Sequence, residues 1–409
     1  MNFKIIIIIC VLLKGIYSVV LNIVRLRSAN NPTPENLSDV YDAETYRKWK
    51  RYSAEHNKLS IISDIVSTAV MVALLATNAH AAFASLFPKG GELFGVVILT
   101  VVVGSVLDII EKYISTMVIE QKYGFNRSTV KTFIFDCIRS LLLEFVLSLA
   151  LVGLMMLLHK TVGDWLILLF AGAVFAITLI ISFLYPVFSR IGNKFTPLED
   201  GELKDKLMAL LEKYGYKVKA IEVMDASRRT TKLNAYFTGF GKLKTIVLYD
   251  NLVNAMTEDE ICAIFSHEMG HGLHKDVLKS QILNVGNLLL MGVLVWLTLR
   301  EPAIYTDFGF AEINYGFSYI VIGVALGLVQ PLTGIITNLR SRSAEYRADR
   351  QAVIEGYGEP MIVALKKLAK DNFSNLSPSK INVVLEYSHP PLDRRIEEVE
   401  KAIKNTKTE

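Results

Sequence analysis

The sequence predicts a mostly α-helical membrane protein, with seven transmembrane helices and a small water-exposed segment that carries a short β-hairpin. Three observations predict it. Hydrophobic residues fill 52% of the 409 positions and charged residues only 21%. Mean hydropathy is +0.36, too apolar for a soluble chain of this length. Seven separate windows reach the roughly 20 apolar residues that a bilayer-crossing helix needs.

The windows lie near 3–24, 61–87, 93–114, 138–158, 164–188, 281–299 and 317–338. The fifth closes at Tyr185-Pro186, and the seventh contains Gln330-Pro331, where a kink is expected. The first window also has the make-up of a signal peptide, with Lys4, an isoleucine-rich run and small residues near Ser18. The loop after it argues for a retained span. It carries Arg25, Arg27, Arg47, Lys48, Lys50, Arg51 and Lys58, and cleavage would export that basic loop.

The same positive-inside rule orients the chain. Loops after spans one, three and five are long and basic, whereas those after spans two, four and six are short. The N-terminus is therefore expected outside, with 189–280 and 339–409 on the cytoplasmic side. Charges inside the spans are costly and mark interiors or water. Asp64 and Arg139 lie near span ends and suit snorkelling, while Asp108 and Glu144 sit deeper and suggest a hydrated interior.

Some classes are excluded. A net charge of +4, with no basic stripe interleaved with aromatics, gives no nucleic-acid partner. Cys10, Cys137 and Cys262 form no CxxC and read as unpaired thiols.

The chemistry lies in residues 257–275. Thr257 and Glu260 make a capping box, and Glu258 and Asp259 place negative charge on the first turn, so a helix starts here. His267 and His271 follow at i, i+4, which puts two imidazoles on one face, close enough to bind one ion. Glu268, beside the first histidine, can take a proton from a metal-bound water. A helix with surface histidines is the plain alternative, but three of the chain's seven histidines (His267, His271, His274) fall within this stretch. A third ligand must come from elsewhere. A metzincin needs glycine at 274 and histidine at 277, where this chain has His274 and Val277. Glu345 is the better candidate, with Asp349 one turn later able to orient a ligand histidine. The alternative there is a solvated helix face with Arg347 and Arg350 as ion partners.

Residues 202–214 read as a helix, and 217–224 and 244–250 as short strands around the turn NAYFTGFG. A strand beside such a helix can hold an extended substrate by main-chain pairing. Thr245, Ile246, Val247 and Leu248 are expected in that role, with a purely structural hairpin as the alternative.

At this point the residues resemble a known family, the type I CAAX prenyl proteases. The resemblance is carried along most of the chain by VIEQKYGFN (118–126), NKFTPLEDGEL (193–203), NAYFTGF (234–240), IVLYDNL (246–252), HEMGH (267–271), SRSAEYRAD (341–349) and SHPPLDRRI (388–396). It implies a gluzincin-like zinc endopeptidase whose seven helices enclose a water-filled chamber. It implies one Zn2+ per chain on His267, His271 and Glu345, with Glu268 as catalytic base. It places Asn234, His389 and Arg395 around the substrate, and Arg395 is suited to pair with Asp349.

The expected organisation is then 1–188 for spans one to five, 189–280 for the peptidase segment, 281–342 for spans six and seven, and 343–409 for the segment supplying the third ligand. The expected substrate is a peptide or protein, prenylated at its C-terminus or met in membrane-protein quality control. Lipid surrounds a monomer in the cell membrane of a prokaryote or the endoplasmic reticulum membrane of a eukaryote. The chain is compact, with about 17 residues between spans six and seven, and its tail KNTKTE carries no KDEL-like or dilysine signal. Two other functions fit the pattern less well. A non-catalytic zinc-binding scaffold does not need Glu268, and a transporter would show inverted repeats, which are not evident.

Overall fold

The structure is a computed structural model and describes residues 2–216, 220–238 and 245–408. Among these, seven helices are long and apolar enough to cross a membrane: Phe3–Ser28, Ala43–Ala76, Glu92–Tyr123, Val130–Thr161, Gly163–Leu184, Asp276–Arg300 and Tyr315–Ile354. Polar N-caps start several of them. Asn2, Asp42, Thr129 and Asn314 each accept a backbone N–H of the first turn.

Three boundaries differ from expectation. The second span ends at Ala76, not near 87, because Asn78 turns left-handed (φ 55°) and a separate short helix, Ala79–Ala84, follows. Asparagine tolerates that conformation better than most residues. At its other end this helix begins at Ala43, ahead of the membrane window, and buries Trp49, Tyr52 and Asn57. The fifth helix continues through Pro186 to Ser189, forgoing the one backbone hydrogen bond that proline cannot donate. The seventh runs unbroken through Pro331 for 40 residues. The expected divisions at 280/281 and 342/343 therefore fall inside single helices.

A cavity of about 580 Å³ lies within the bundle and is lined from all seven helices. Asp108 and Glu144 do not line it. They border a crevice of about 20 Å³ between the third and fourth helices, where Ser105 Oγ donates to Glu144 at 3.1 Å. Asp64 does not snorkel either. It lines the large cavity and accepts bonds from Ser18 and Asn22.

The water-exposed part carries a sheet of β1 (Phe195–Pro197), β2 (Ala220–Met224), β3 (Ala235–Thr238) and β4 (Thr245–Tyr249), in the order β1-β2-β4-β3. The two strands anticipated as a hairpin, β2 and β4, pair in parallel. The hairpin-like pair is β3 with β4, because part of the anticipated turn is itself a strand. Positions 217–219 and 239–244 of these segments, Lys244 included, lie outside the described residues. The sheet packs through Ile221, Ile246 and Leu248 onto Leu207, Leu211, Ile261 and Phe265 of the helices beside it. A second core joins Ala29, Leu37 and Trp49 to Met361, Leu365 and Val399. The first loop is thereby tied to the C-terminal helices behind the histidines.

Candidate metal centre and active site

The helix Glu258–Leu273 opens with both halves of the capping box, Glu260 N–H donating to Thr257 Oγ1 at 3.3 Å and Thr257 N–H to Glu260 Oε2 at 2.9 Å. Its second half buries His267 and brings the rings of His267 and His271 to 4.9 Å between centroids. The helix lies across Tyr315–Ile354, and Gly270 sets the crossing distance. A Cβ there would stand 3.0 Å from both Ala348 Cα and Gln351 Cβ. The close approach brings Glu345 beneath the histidines, with Oε1 3.3 Å from His271 Nε2 and Oε2 3.6 Å from His267 Nε2.

One ligand atom from each of His267, His271 and Glu345 lies within 4.8 Å of the others. Three donors about 2.0–2.1 Å from a tetrahedral zinc would be separated by about 3.4 Å. The spacing therefore fits such an ion. Two further observations agree. Glu345 Oε2 is buried and has no hydrogen-bond donor among the described residues. Both rings also turn Nε2 inward, because a carboxylate occupies each Nδ1: Asp349 at 2.8 Å behind His267, and Asp276 at 3.2 Å behind His271. A carboxylate there places the proton on Nδ1 and leaves Nε2 free to coordinate.

Charge around the centre is balanced by arginines. Arg395 grips Asp349 with two bonds, Nε to Oδ2 at 2.8 Å and Nη2 to Oδ1 at 2.6 Å, and its Nη1 lies 3.5 Å from Glu345 Oε2. Burial alone would raise the Asp349 pKa. The Arg395 guanidinium outweighs it and holds the carboxyl well below the usual range. Arg347 donates to Asp276 at 2.9 Å, so it serves the other histidine's carboxylate and not Asp349. Glu345 and Asp349 are buried, unlike a solvated helix face. Cys262 offers no competing nucleophile, because burial pushes its thiol up to about 11.

The remaining residues separate into two groups. Glu268 is half-buried and has no hydrogen bond or ion pair among the described residues, yet it lies close enough to His271 and Arg395 to influence their charge. His389 is exposed, with Nε2 3.5 Å from Glu345 Oε1. Asn234 stands at the start of β3, where its Oδ1 accepts from Ala235 N–H at 2.9 Å, and no hydrogen bond or ion pair among the described residues links it to the histidine cluster. Thr245, Ile246, Val247 and Leu248 are not placed to bind an extended peptide. They form β4, an inner strand paired on both sides, by β2 and by β3. Among the described residues the edge strands are β1 and β3, and β3 is the edge beside β4.

Sequence reasoning missed Asp276. A signal was present, an aspartate five residues after His271 at the start of the next helix. What brings it back to the histidine is the left-handed Lys275 (φ 53°). Asp276→Asn is expected to weaken metal affinity by about 10–100-fold with the fold intact, as metal titration and thermal melting would show. Gly270→Ala is a second test. On an isolated helix this change is favourable by about 1 kcal/mol. Here the added methyl presses on Ala348, so lower metal affinity is expected, and unchanged affinity would refute the crossing argument.

A membrane-embedded metallopeptidase is the class that this fold and this cluster define. Comparison with known proteins agrees. The description "CAAX prenyl protease N-terminal, five membrane helices" matches residues 22–190, and "Peptidase family M48" matches 197–403. The CAAX prenyl protease 1 homolog of Oryza sativa subsp. japonica is 31% identical over 96% of each chain. CAAX prenyl protease 1 of Saccharomyces cerevisiae is 31% identical over 89% of this chain and 87% of its own. The crystal structure of S. mikatae Ste24p superposes with a TM-score of 0.90 at 28% identity, covering 98% of this chain and 99% of that one. The chain belongs to peptidase family M48, among the membrane zinc metalloproteases of CAAX-processing type.

Proposed function

We propose that the chain holds one Zn2+ on His267, His271 and Glu345 and removes the C-terminal residues of prenylated CAAX proteins. The observation that carries the reading is the inward convergence of three ligand atoms, with a carboxylate behind each imidazole. A zinc ion bound there would acidify a water molecule and polarise the scissile carbonyl. Glu268 takes the proton from the attacking water and returns it to the leaving amine. Asp349 and Asp276 hold the two rings in the coordinating tautomer. His389 and Arg395, both near Glu345, supply donors toward the developing oxyanion.

The edge of β3 is the better candidate for main-chain pairing with an extended substrate, and Asn234 stands at its entry. Charge asymmetry of the loops supports an N-terminus outside and a cytoplasmic site, with the protein acting as a monomer in lipid. The test is incubation of the purified, zinc-loaded protein with prenylated and unprenylated CAAX peptides, followed by mass spectrometry. Cleavage of the prenylated peptide between the modified cysteine and the next residue is expected. Absence of cleavage of either peptide would overturn the reading.

A further inference from the structure

The bundle cavity carries two charges that peptide cleavage does not use. Lys14 and Asp64 are the charged residues lining it, and its walls are otherwise mostly apolar, as at Met71, Met155 and Phe170. Lys14 lies 11 residues into a 26-residue helix, about 16 Å from its start and far from either membrane face. Its ammonium has no hydrogen bond or ion pair among the described residues. The seventh helix makes room for it, since a Cβ on Gly327 would come within 2.8 Å of Lys14 Cδ and 3.1 Å of Nζ. Asp64 is held in place by Ser18 Oγ at 2.8 Å and Asn22 Nδ2 at 2.7 Å. Both bonds end on Oδ2, and Oδ1 receives none among the described residues. Ser18 is one helical turn from Lys14 on the same face. A cation and an anion thus border one apolar space about a turn apart without pairing with each other. Intramembrane charges are costly and mark ligand sites.

We infer that this cavity binds a short apolar peptide with free termini, its carboxylate on Lys14, its ammonium on Asp64 and its aliphatic side chains against the walls. A cavity of about 580 Å³ is within the usual range of small-ligand sites. The inference rests on the CAAX reading, because that cleavage releases an aliphatic tripeptide of this kind. The site is distinct from the metal centre. Gly327 and Glu345 are 18 positions apart on one helix, about 27 Å at the helical rise.

The test uses the zinc-loaded Glu268→Gln protein in nanodiscs and tritiated valyl-isoleucyl-alanine, with a diazirine analogue for cross-linking. Saturable binding is expected, unaffected by zinc chelation. It should weaken by about tenfold or more in Lys14→Gln, as for loss of a charge-assisted bond, and recover in Lys14→Arg. Cross-links should map to the first, second and seventh helices. Amidating the peptide's carboxylate probes the same contact without altering the protein. Binding that vanishes on chelation, is equal in Lys14→Gln, does not saturate, or is displaced by equimolar palmitate would overturn the inference. Cleavage of CAAX peptides is scored separately on the wild type. Cleavage without tripeptide binding sinks this inference alone, and binding without cleavage sinks the proposed function alone.

Discussion

Glu268→Gln is expected to retain the metal and to lower peptide cleavage by about 10²–10⁴-fold, the usual contribution of a general base. Glutamine keeps the shape of the side chain and cannot accept the proton. The three proposed ligands are untouched, and their histidines are oriented by Asp349 and Asp276, not by Glu268. Metal analysis of the purified variant checks the first half, and mass spectrometry of a peptide digest checks the second. Near-normal turnover with full metal content would remove Glu268 from the mechanism. Because Glu268 lacks a hydrogen bond or ion pair among the described residues, its loss is not expected to destabilise the fold, so the effect should be on rate alone.

Arg395→Ala is expected to destabilise the protein by about 3–5 kcal/mol, because it leaves Asp349 buried without its cation. Asp349 is 1% exposed and receives two bonds from that guanidinium. Lysine is not expected to rescue it, since a point charge cannot reproduce the two-pronged grip. The pH dependence should also reverse. In the wild type the folded carboxyl titrates below its unfolded value of about 3.9, so its contribution is complete above that pH and fades only as pH falls through the folded value. Without Arg395, burial dominates and raises the folded pKa above the unfolded one. The contribution is then complete at low pH and is lost as pH rises through the raised value. Thermal melts across pH should show the deficit growing toward neutrality. A deficit independent of pH would show that packing, not charge, is what Arg395 supplies.

Much of this arrangement was legible because it is local. The imidazole pair, the capping box and Glu268 depend only on spacing along one helix, and an isolated helix would present them the same way. Glu345 and Asp349 could be recognised as a four-spaced pair, but their burial depends on two helices crossing. That contact is a tertiary fact carried by Gly270 and Ala348. Span positions came from hydropathy, and their ends did not. The break at Asn78 and the continuation past Pro186 depend on single backbone conformations. Sheet order was the least legible. Ala235–Thr238 sits between an asparagine and a glycine-rich stretch and reads as a turn, so from sequence β4 reads as an accessible strand, whereas it lies between two neighbours. Asp64 looked like a residue reaching for the interface, and only the structure shows Ser18 and Asn22 holding it.

Gly270 carries a lesson for reading such motifs. In the five-letter pattern HExxH its position is a wildcard, open to any side chain. In this chain it is the hinge-point of two rods, and the proposed third metal ligand, 75 positions later in sequence, stays within reach because nothing larger stands between them. A scan for new members that treats that letter as free would accept sequences whose distant carboxylate is held off from the histidines, and would mistake a spelling for a site.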